Sequence, residues 1–113
     1  MSRDDATLLD IANALRSIIA FTQGHTWDTF VAHEMAQAAV IQRLGIVGEA
    51  VKRLSADFCS AHNDVPWQEI AGMRNILIHA YDQVNMATVW NVAQNEVPAL
   101  LTRLEPLLPR EPT

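Results

Sequence analysis

The residues best suited to chemistry lie close together, in the segment from Arg74 to His79. An arginine guanidinium is planar and donates two hydrogen bonds to one phosphate group, and a histidine imidazole exchanges a proton near neutral pH. His79 can activate a ribose 2′-hydroxyl or protonate a leaving oxygen, while Arg74 neutralises the charge that builds on the phosphorane. This pair of residue types can therefore cleave RNA without a metal ion.

The spacing of the pair sets a condition on how it could work. Arg74 and His79 are i and i+5, which on an ideal α-helix separates them by about 140° around the axis. Three arrangements would bring them to one substrate: the reach of the arginine stem, loosening of the helix at its end, or a twofold homodimer in which two copies of the segment line one cleft. Asn75 and His79 are i and i+4, so they share a helical face.

The same two residues also have an interpretation without chemistry. Arg74 lies near the middle of an apolar stripe formed, on the predicted helix over residues 66–80, by Trp67, Ile70, Leu77 and Ile78. A charge there is costly unless it finds a partner, water or an anion. Arg74 could reach the rim of the helix or pair with an acid such as Glu49. His79 alone would be an ordinary surface or core histidine.

No other catalytic pattern stands out in the sequence. His25, His33 and His62 are scattered, without the cysteine or carboxylate spacing of a metal site, and there is no glycine-rich phosphate loop. We therefore predict neither a metal ion nor a cofactor. The single cysteine, Cys59, follows Phe58 on the apolar side of its helix and is predicted to be a buried small side chain.

The composition predicts one globular domain over residues 1–113, with a frayed tail at 108–113. The net charge of −5 argues against a general electrostatic grip on nucleic acid, so RNA chemistry would need a local basic site that dimerisation could duplicate. The apolar runs are too short to span a membrane. The acidic N-terminus and lone cysteine favour a cytoplasmic location.

Apolar residues recur at helical spacing through most of the chain, which predicts an all-α fold. We expect an up-and-down bundle of four main helices plus one short helix that is N-capped by Thr26. The main helices are predicted over residues 4–22, 34–60, 66–80 and 86–108.

Glycine and proline mark the connections and irregularities of this bundle. Gly24 is predicted to end the first helix, and residues 62–66 and 82–85 to form a loop and a turn. Gly45 and Gly48 predict the close approach of a neighbouring helix to the second main helix. Pro98 is predicted to kink the last helix.

Four segments of the chain carry a resemblance to a known family. Residues 74–81, RNILIHAY, resemble the R-x4-H-x-Y signature of the HepT-like branch of the HEPN superfamily. Residues 46–55 (IVGEAVKRLS), 65–75 (VPWQEIAGMRN) and 84–100 (VNMATVWNVAQNEVPAL) resemble the same family in order and spacing. The resemblance extends over about residues 8–108. One departure is Asn85, where many relatives have Asp.

The resemblance implies a function and roles for individual residues. Such proteins are helical bundles that form homodimers, and many are metal-independent ribonucleases that act on RNA, here mRNA or tRNA and not DNA. HepT-like members are usually toxins of a type VII-like toxin–antitoxin pair with a nucleotidyltransferase antitoxin of the MntA type. The resemblance assigns catalysis to Arg74 and His79, support of the site to Asn75, and modification by AMP to Tyr81.

Two other functions stay open at this point. The chain could be a non-catalytic helical module whose dimer cleft binds a nucleotide or the nucleotidyltransferase. It could also neutralise a toxic partner. An acidic chain suits a protein whose main partner need not be nucleic acid.

Overall fold

All regular secondary structure is helical in residues 1–79 and 85–109, which are the residues that the structure, a computed structural model, describes. For residues 74–79 it describes the helical backbone alone. The α-helices are α1 (Arg3–Thr22), α2 (Trp27–Val31), α3 (Glu34–Val51), α4 (Ala56–Ala61), α5 (Trp67–His79), α6 (Met86–Asn91) and α7 (Val97–Leu104). A π-helix, Val92–Glu96, connects α6 to α7, and a 3₁₀ turn, Glu105–Leu107, follows α7.

Polar side chains fix where the first helices begin. The Ser2 hydroxyl accepts a hydrogen bond from the Asp5 N–H, and the Asp5 carboxylate accepts one from the Ser2 N–H, which forms a capping box at α1. Thr26 caps α2 as predicted. Gly24, with φ of +83°, lies in the turn after α1, where a residue with a Cβ would be strained.

The predicted second main helix is wrong at its C-terminal end. A helix was expected over 34–60, but α3 ends at Val51 and α4 starts a new helix at Ala56. The Ser55 hydroxyl accepts a hydrogen bond from the Phe58 N–H and so caps α4. The Asp4 carboxylate in turn accepts hydrogen bonds from the Ser55 N–H at 2.9 Å and the Ser55 hydroxyl at 2.7 Å. This contact with α1 stabilises the break.

The predicted last helix, 86–108, is interrupted by the π-helix. Asn85 caps α6 by accepting from the N–H groups of Ala87 and Thr88. The Val97 N–H then donates to the Val92 carbonyl, five residues back, instead of four. Pro98 follows directly, and a proline cannot donate and its ring crowds the carbonyl four residues before it. We attribute the wide turn to this proline, which is the residue where a kink was predicted.

The core lies where α1, α3, α5 and α7 meet. α1 packs along α3, α5 packs against another side of α3, and α7 packs against α1. The central side chains of this core are fully buried: Leu8, Ile11, Leu15, Ile18, Phe30, Val40, Leu44, Val47, Val89 and Leu104. The four main helices of the prediction are confirmed as α1, α3, α5 and the segment from α6 through α7.

The two glycines of α3 differ in their surroundings. Gly48 is buried, as predicted for a close helix contact. Gly45 is half-buried, and a Cβ added there would meet no atom within 4 Å in the described part of the chain. Within the described residues no helix contacts this position, and the predicted close approach of a neighbouring helix at Gly45 stays a prediction.

Three predictions fall partly on residues beyond the described ranges. They are the helix end at Ala80, the turn over 82–85 apart from Asn85, and the frayed tail apart from residues 108 and 109. None of the helices that the structure does describe is long and apolar enough to cross a lipid bilayer.

The link between Asp4 and Ser55 gives a pH-dependent prediction. The hydrogen bonds from the Ser55 hydroxyl and N–H lower the pKa of the Asp4 carboxyl. A group whose pKa is lowered by folding adds stability above its ordinary pKa, and this stability is lost as the pH falls through the lower folded value. Asp4→Ala should therefore unfold at a lower temperature than the native chain at pH 7, and the difference should vanish in strongly acidic solution.

Thermal unfolding followed by circular dichroism from pH 7 to pH 2 measures this difference. Asp57→Ala removes an exposed acid from the first turn of α4 and is the matched control. An equal loss of stability in both variants, or a difference that persists at pH 2, would contradict the role given to Asp4.

Candidate functional site

The start of α5 is held by a tryptophan and a proline. Pro66 precedes the helix, and its carbonyl accepts a hydrogen bond from the Ile70 N–H at 3.1 Å. The indole Nε1–H of Trp67 donates to the His62 carbonyl at 2.9 Å, so the buried ring also satisfies its polar atom. Trp67 and Ile70 are buried, which confirms the start of the predicted apolar stripe.

The loop over residues 62–66, predicted as such, is fixed to its neighbours on two sides. The Phe58 ring of α4 lies 4.6 Å from the His62 ring and 5.8 Å from the Trp67 ring. On the other side, Arg103 of α7 donates hydrogen bonds to the Asp64 carbonyl and carboxylate. These contacts set the entry of the chain into α5, the helix that carries the R-x4-H motif.

Arg74, Asn75 and His79 all lie on α5, whose backbone is helical through His79. Their side chains are outside what the structure describes, as are those of Leu77 and Ile78. Because the backbone is helical, Arg74 and His79 are separated by about 140° around the axis and about 7.5 Å along it. The helix of one chain therefore does not bring their backbones together. One of the three arrangements predicted from the spacing is still needed to bring both side chains to one substrate.

Tyr81, the predicted modification target, lies outside the described residues. The pairing of Arg74 with Glu49, the alternative without chemistry, also involves a side chain that is not described. The roles assigned to Arg74, Asn75, His79 and Tyr81 therefore stay predictions.

The histidines outside the motif have structural positions. The His33 Nδ1 accepts a hydrogen bond from the Ala36 N–H and so caps α3. The His25 Nδ1 lies 2.9 Å from the Thr29 hydroxyl, and its ring packs edge-on against the His33 ring. Among the described residues, no three side chains of the metal-ligating types lie together.

Cys59 is half-buried on α4. Burial, and to a smaller degree the Asp4 carboxylate, raises the pKa of its thiol. The thiolate is the reactive form of cysteine, so a raised pKa makes this residue a poor nucleophile at neutral pH. This agrees with the prediction of a small packing side chain, although burial is partial.

A cavity of about 190 Å³ lies between α1, α3, α5 and α7. Its lining is mainly apolar, including Leu15, Leu44 and Met73, with Glu69 and Glu96 among the charged residues. Pockets for nucleotide-sized ligands are generally about 300 Å³ or larger. This cavity is therefore too small to be a nucleotide site in the state described.

A second depression contains residues that sequence reasoning missed. It is a groove of about 240 Å³ between α1 and α3, lined by Asp10, Asn13, Ala14, Ser17, Arg43, Ile46 and Arg53. All of these residues except Arg53 lie on α1 or α3, which are far apart along the chain, and Arg53 follows α3. The signal that could have found them is Arg43 itself, a charged residue directly beside the buried Leu44 of the central helix.

Four main helices around one core, with an arginine and a histidine in R-x4-H spacing on a helix that packs against the central one, define an all-α, HEPN-like protein. Residues 11–107 match the family described as ribonuclease HepT-like. The chain belongs to this family, as its sequence motifs predicted.

Curated relatives agree with this assignment along nearly their whole length. A protein of Thermococcus cleftensis named "Probable ribonuclease HepT" is 39% identical over 100 residues, which are 88% of this chain and 91% of the relative. A Methanocaldococcus jannaschii protein provisionally named an RNase is 38% identical over 91% of this chain and 85% of its own. A similarly named protein of Caldanaerobacter subterraneus is 38% identical over 83% and 84%. No solved structure matches significantly.

Proposed function

We propose that residues 1–113 act as one metal-independent endoribonuclease domain, in which Arg74 and His79 carry out the reaction. The observation that carries this proposal is the R-x4-H pair on α5 of a chain that belongs to a ribonuclease family. RNA rather than DNA is the substrate, because the attacking group is the ribose 2′-hydroxyl.

In the proposed reaction, the 2′-oxygen attacks the adjacent phosphorus and the 5′-oxygen of the next nucleotide leaves. One imidazole takes the proton from the 2′-hydroxyl, and the leaving oxygen gains a proton from a second acid. A twofold dimer supplies His79 from both protomers, so one can act as base and the other as acid. Arg74 donates hydrogen bonds to the phosphate oxygens and neutralises the charge of the transition state.

Two glycines support a dimer formed by the α3–α5 side of the molecule. Gly45 and Gly72 lie within helices that pack against each other, and each lowers helix stability by roughly 0.5–1 kcal/mol relative to alanine. A Cβ added at either position meets nothing within 4 Å in the described part of the chain. Packing against the described residues therefore does not require glycine there, whereas close approach of a second copy would.

The regulatory part of the proposal concerns the motif tyrosine. We infer that the chain is the toxin of a toxin–antitoxin pair and that an MntA-type nucleotidyltransferase silences it by transferring AMP to Tyr81. Each AMP would place a phosphodiester anion near Arg74 and His79, where it would compete with RNA by charge and bulk.

Loss of either motif side chain should strongly reduce the rate of cleavage. His79→Ala should reduce the rate of RNA cleavage by about 10²-fold or more, since it removes a general acid or base. Arg74→Ala should reduce it by about 10²–10³-fold, since it removes charge stabilisation of the transition state. Total RNA incubated with purified, unmodified protein and separated on a denaturing gel measures the rate, with and without a chelator.

His25→Ala and Arg3→Ala are matched controls, since each removes the same type of side chain away from α5. Cleavage by the native chain should survive the chelator and both controls. If folded Arg74→Ala and His79→Ala cut RNA as fast as the native chain, the assigned roles are wrong. If the native dimer leaves RNA intact yet forms a stable complex with the nucleotidyltransferase, the non-catalytic binding module is the better account.

Substitutions at Gly45 should affect folding and dimerisation in opposite directions. Gly45→Ala should raise the free energy of unfolding of the helix bundle by up to about 1 kcal/mol, because alanine is the better helix former and has room. Gly45→Leu should also fold, but its larger side chain should convert the dimer to monomer. Light scattering at micromolar concentration, combined with urea unfolding, measures both effects.

Ala38→Leu, at an exposed position of the same helix, is the control for adding an apolar side chain to α3. A native chain that is monomeric at these concentrations would contradict the dimer. A dimer that Gly45→Leu leaves unchanged would exclude Gly45 from the interface.

Modification should occur at a single residue. The chain co-expressed with its nucleotidyltransferase should gain mass in multiples of one AMP, and Tyr81→Phe should abolish the gain because the acceptor hydroxyl is gone. Intact-mass and peptide mass spectrometry measure this, with the native chain expressed alone as the control. A gain of AMP that persists in Tyr81→Phe would place the modification elsewhere.

A further inference from the structure

The groove between α1 and α3 has no part in the reaction proposed above. Its polar lining comes from Asp10, Asn13 and Ser17 on α1 and from Arg43 on α3, with Arg53 just after α3. The motif lies on α5, a different helix. The groove is therefore a separate feature of the molecule.

Arg43 is the unusual residue of this groove. Its side chain is half-buried, and its Nε atom is buried without a hydrogen-bond partner among the residues that the structure describes. The guanidinium carbon lies 5.8 Å from the centre of the Phe21 ring, which holds the group in place from one side. No salt bridge to Arg43 occurs in the described part of the chain. A positioned guanidinium without an anion is suited to bind one.

The groove is locally basic although the chain carries a net charge of −5. Arg43 and Arg53 line it, and Arg16 lies on α1 within one turn of Asn13 and Ser17. Asp10 is the acid of the lining and lies 3.7 Å from Arg53, with both side chains about half-exposed or more. Such an exposed pair is weak and can exchange for a stronger partner.

Another donor of the groove suits a phosphate as well. The Asn13 side-chain NH2 can donate to a phosphate oxygen and lies on the wall opposite Arg43, whereas the Ser17 hydroxyl already donates to the Asn13 carbonyl. Arg53 and Asp10 at the rim of the groove are about half-exposed or more, so this end of the groove is open to solvent. A phosphodiester of an RNA backbone, which recurs at every nucleotide, can therefore reach Arg53 from solvent.

We propose that the groove between α1 and α3 binds a backbone phosphodiester of the RNA substrate through Arg43 and Arg53, at a distance from the linkage that is cut. The proposal rests on the ribonuclease function proposed above. Such a groove explains how a protein with a net negative charge can bind a polyanion. Binding would occur at a local basic site, and a homodimer would contain two such sites.

Binding of a fluorescent single-stranded RNA oligonucleotide, followed by anisotropy at several salt concentrations, tests this directly. The His79→Ala background keeps the RNA intact. Adding Arg43→Gln should weaken binding about tenfold, since a charge-assisted contact is lost. It should also reduce the slope of log affinity against log salt by about 0.7, the value for one phosphate contact on a single strand.

Two further variants distinguish a direct contact of Arg43 with RNA from a general effect of net charge, and a stability measurement excludes unfolding as the cause. Arg3→Gln removes the same charge outside the groove and should change affinity less than twofold. Arg43→Lys keeps the charge and should recover part of the affinity. Thermal unfolding should show that all variants are folded at the assay temperature.

Four results would overturn the proposal. Arg43→Gln could bind RNA with the same affinity and salt slope as its parent, or Arg3→Gln could lose as much affinity as Arg43→Gln. The parent could fail to bind RNA at any salt concentration. AMP or inorganic phosphate could displace RNA in an Arg43-dependent way at micromolar concentration, which would assign the groove to a small phosphorylated molecule.

The outcome is independent of the cleavage test. Loss of RNA binding in Arg43→Gln alongside absence of cleavage by the native chain would retain the groove and reject the nuclease. Normal binding in Arg43→Gln alongside cleavage that depends on His79 would do the reverse.

Discussion

Burial of the central helix α3 against two neighbours is the constraint on which the rest of the structure depends. Val40, Leu44 and Val47 are completely removed from solvent, and each such side chain stabilises the fold by roughly 1.5–3 kcal/mol. α1 covers α3 on one side and α5 on another, so the position of α3 determines where both of its partners lie. A polar replacement at Leu44 would leave an unsatisfied group in the middle of the bundle and would disturb both contacts at once.

This arrangement gives the two helix pairs different capabilities. The α1–α3 pair places Arg43 beside the hydroxyl and amide groups of α1. The α3–α5 pair carries the R-x4-H motif and the two glycines with open space around them. In the proposed function, one pair would hold the RNA strand and the other would supply the reacting groups and the dimer contact. A chain with few basic residues can then act on RNA because those residues are placed where they are needed.

Local patterns in the sequence predicted most of the fold. Helical spacing of apolar residues identified the main helices, and Thr26 and Gly24 correctly marked a start and a stop. The break after Val51 was missed because it depends on Asp4, which is 51 residues away from Ser55 in the sequence. Arg43 was missed for the same reason, since its surroundings come from another helix. The residue types of Arg74 and His79 indicated what chemistry they could do, but the prediction that they are the reacting pair came from family resemblance, because residues on one helix do not reveal which groups converge across an assembly.

The wide turn over Val92–Glu96 has a consequence for how this helix can vary in length. At 100° per residue, a regular α-helix would spread Val89, Val97 and Leu101 over about 120°. A π-turn takes up one additional residue without rotating the helix beyond it, so these side chains face one core. Removing a single residue from this stretch would keep the two ends in phase, but it would place Pro98 in an ordinary α-helix, where its ring crowds the carbonyl four residues before it. The additional residue therefore lets the proline and one continuous buried face occur together, and this helix cannot be shortened here without losing one of them.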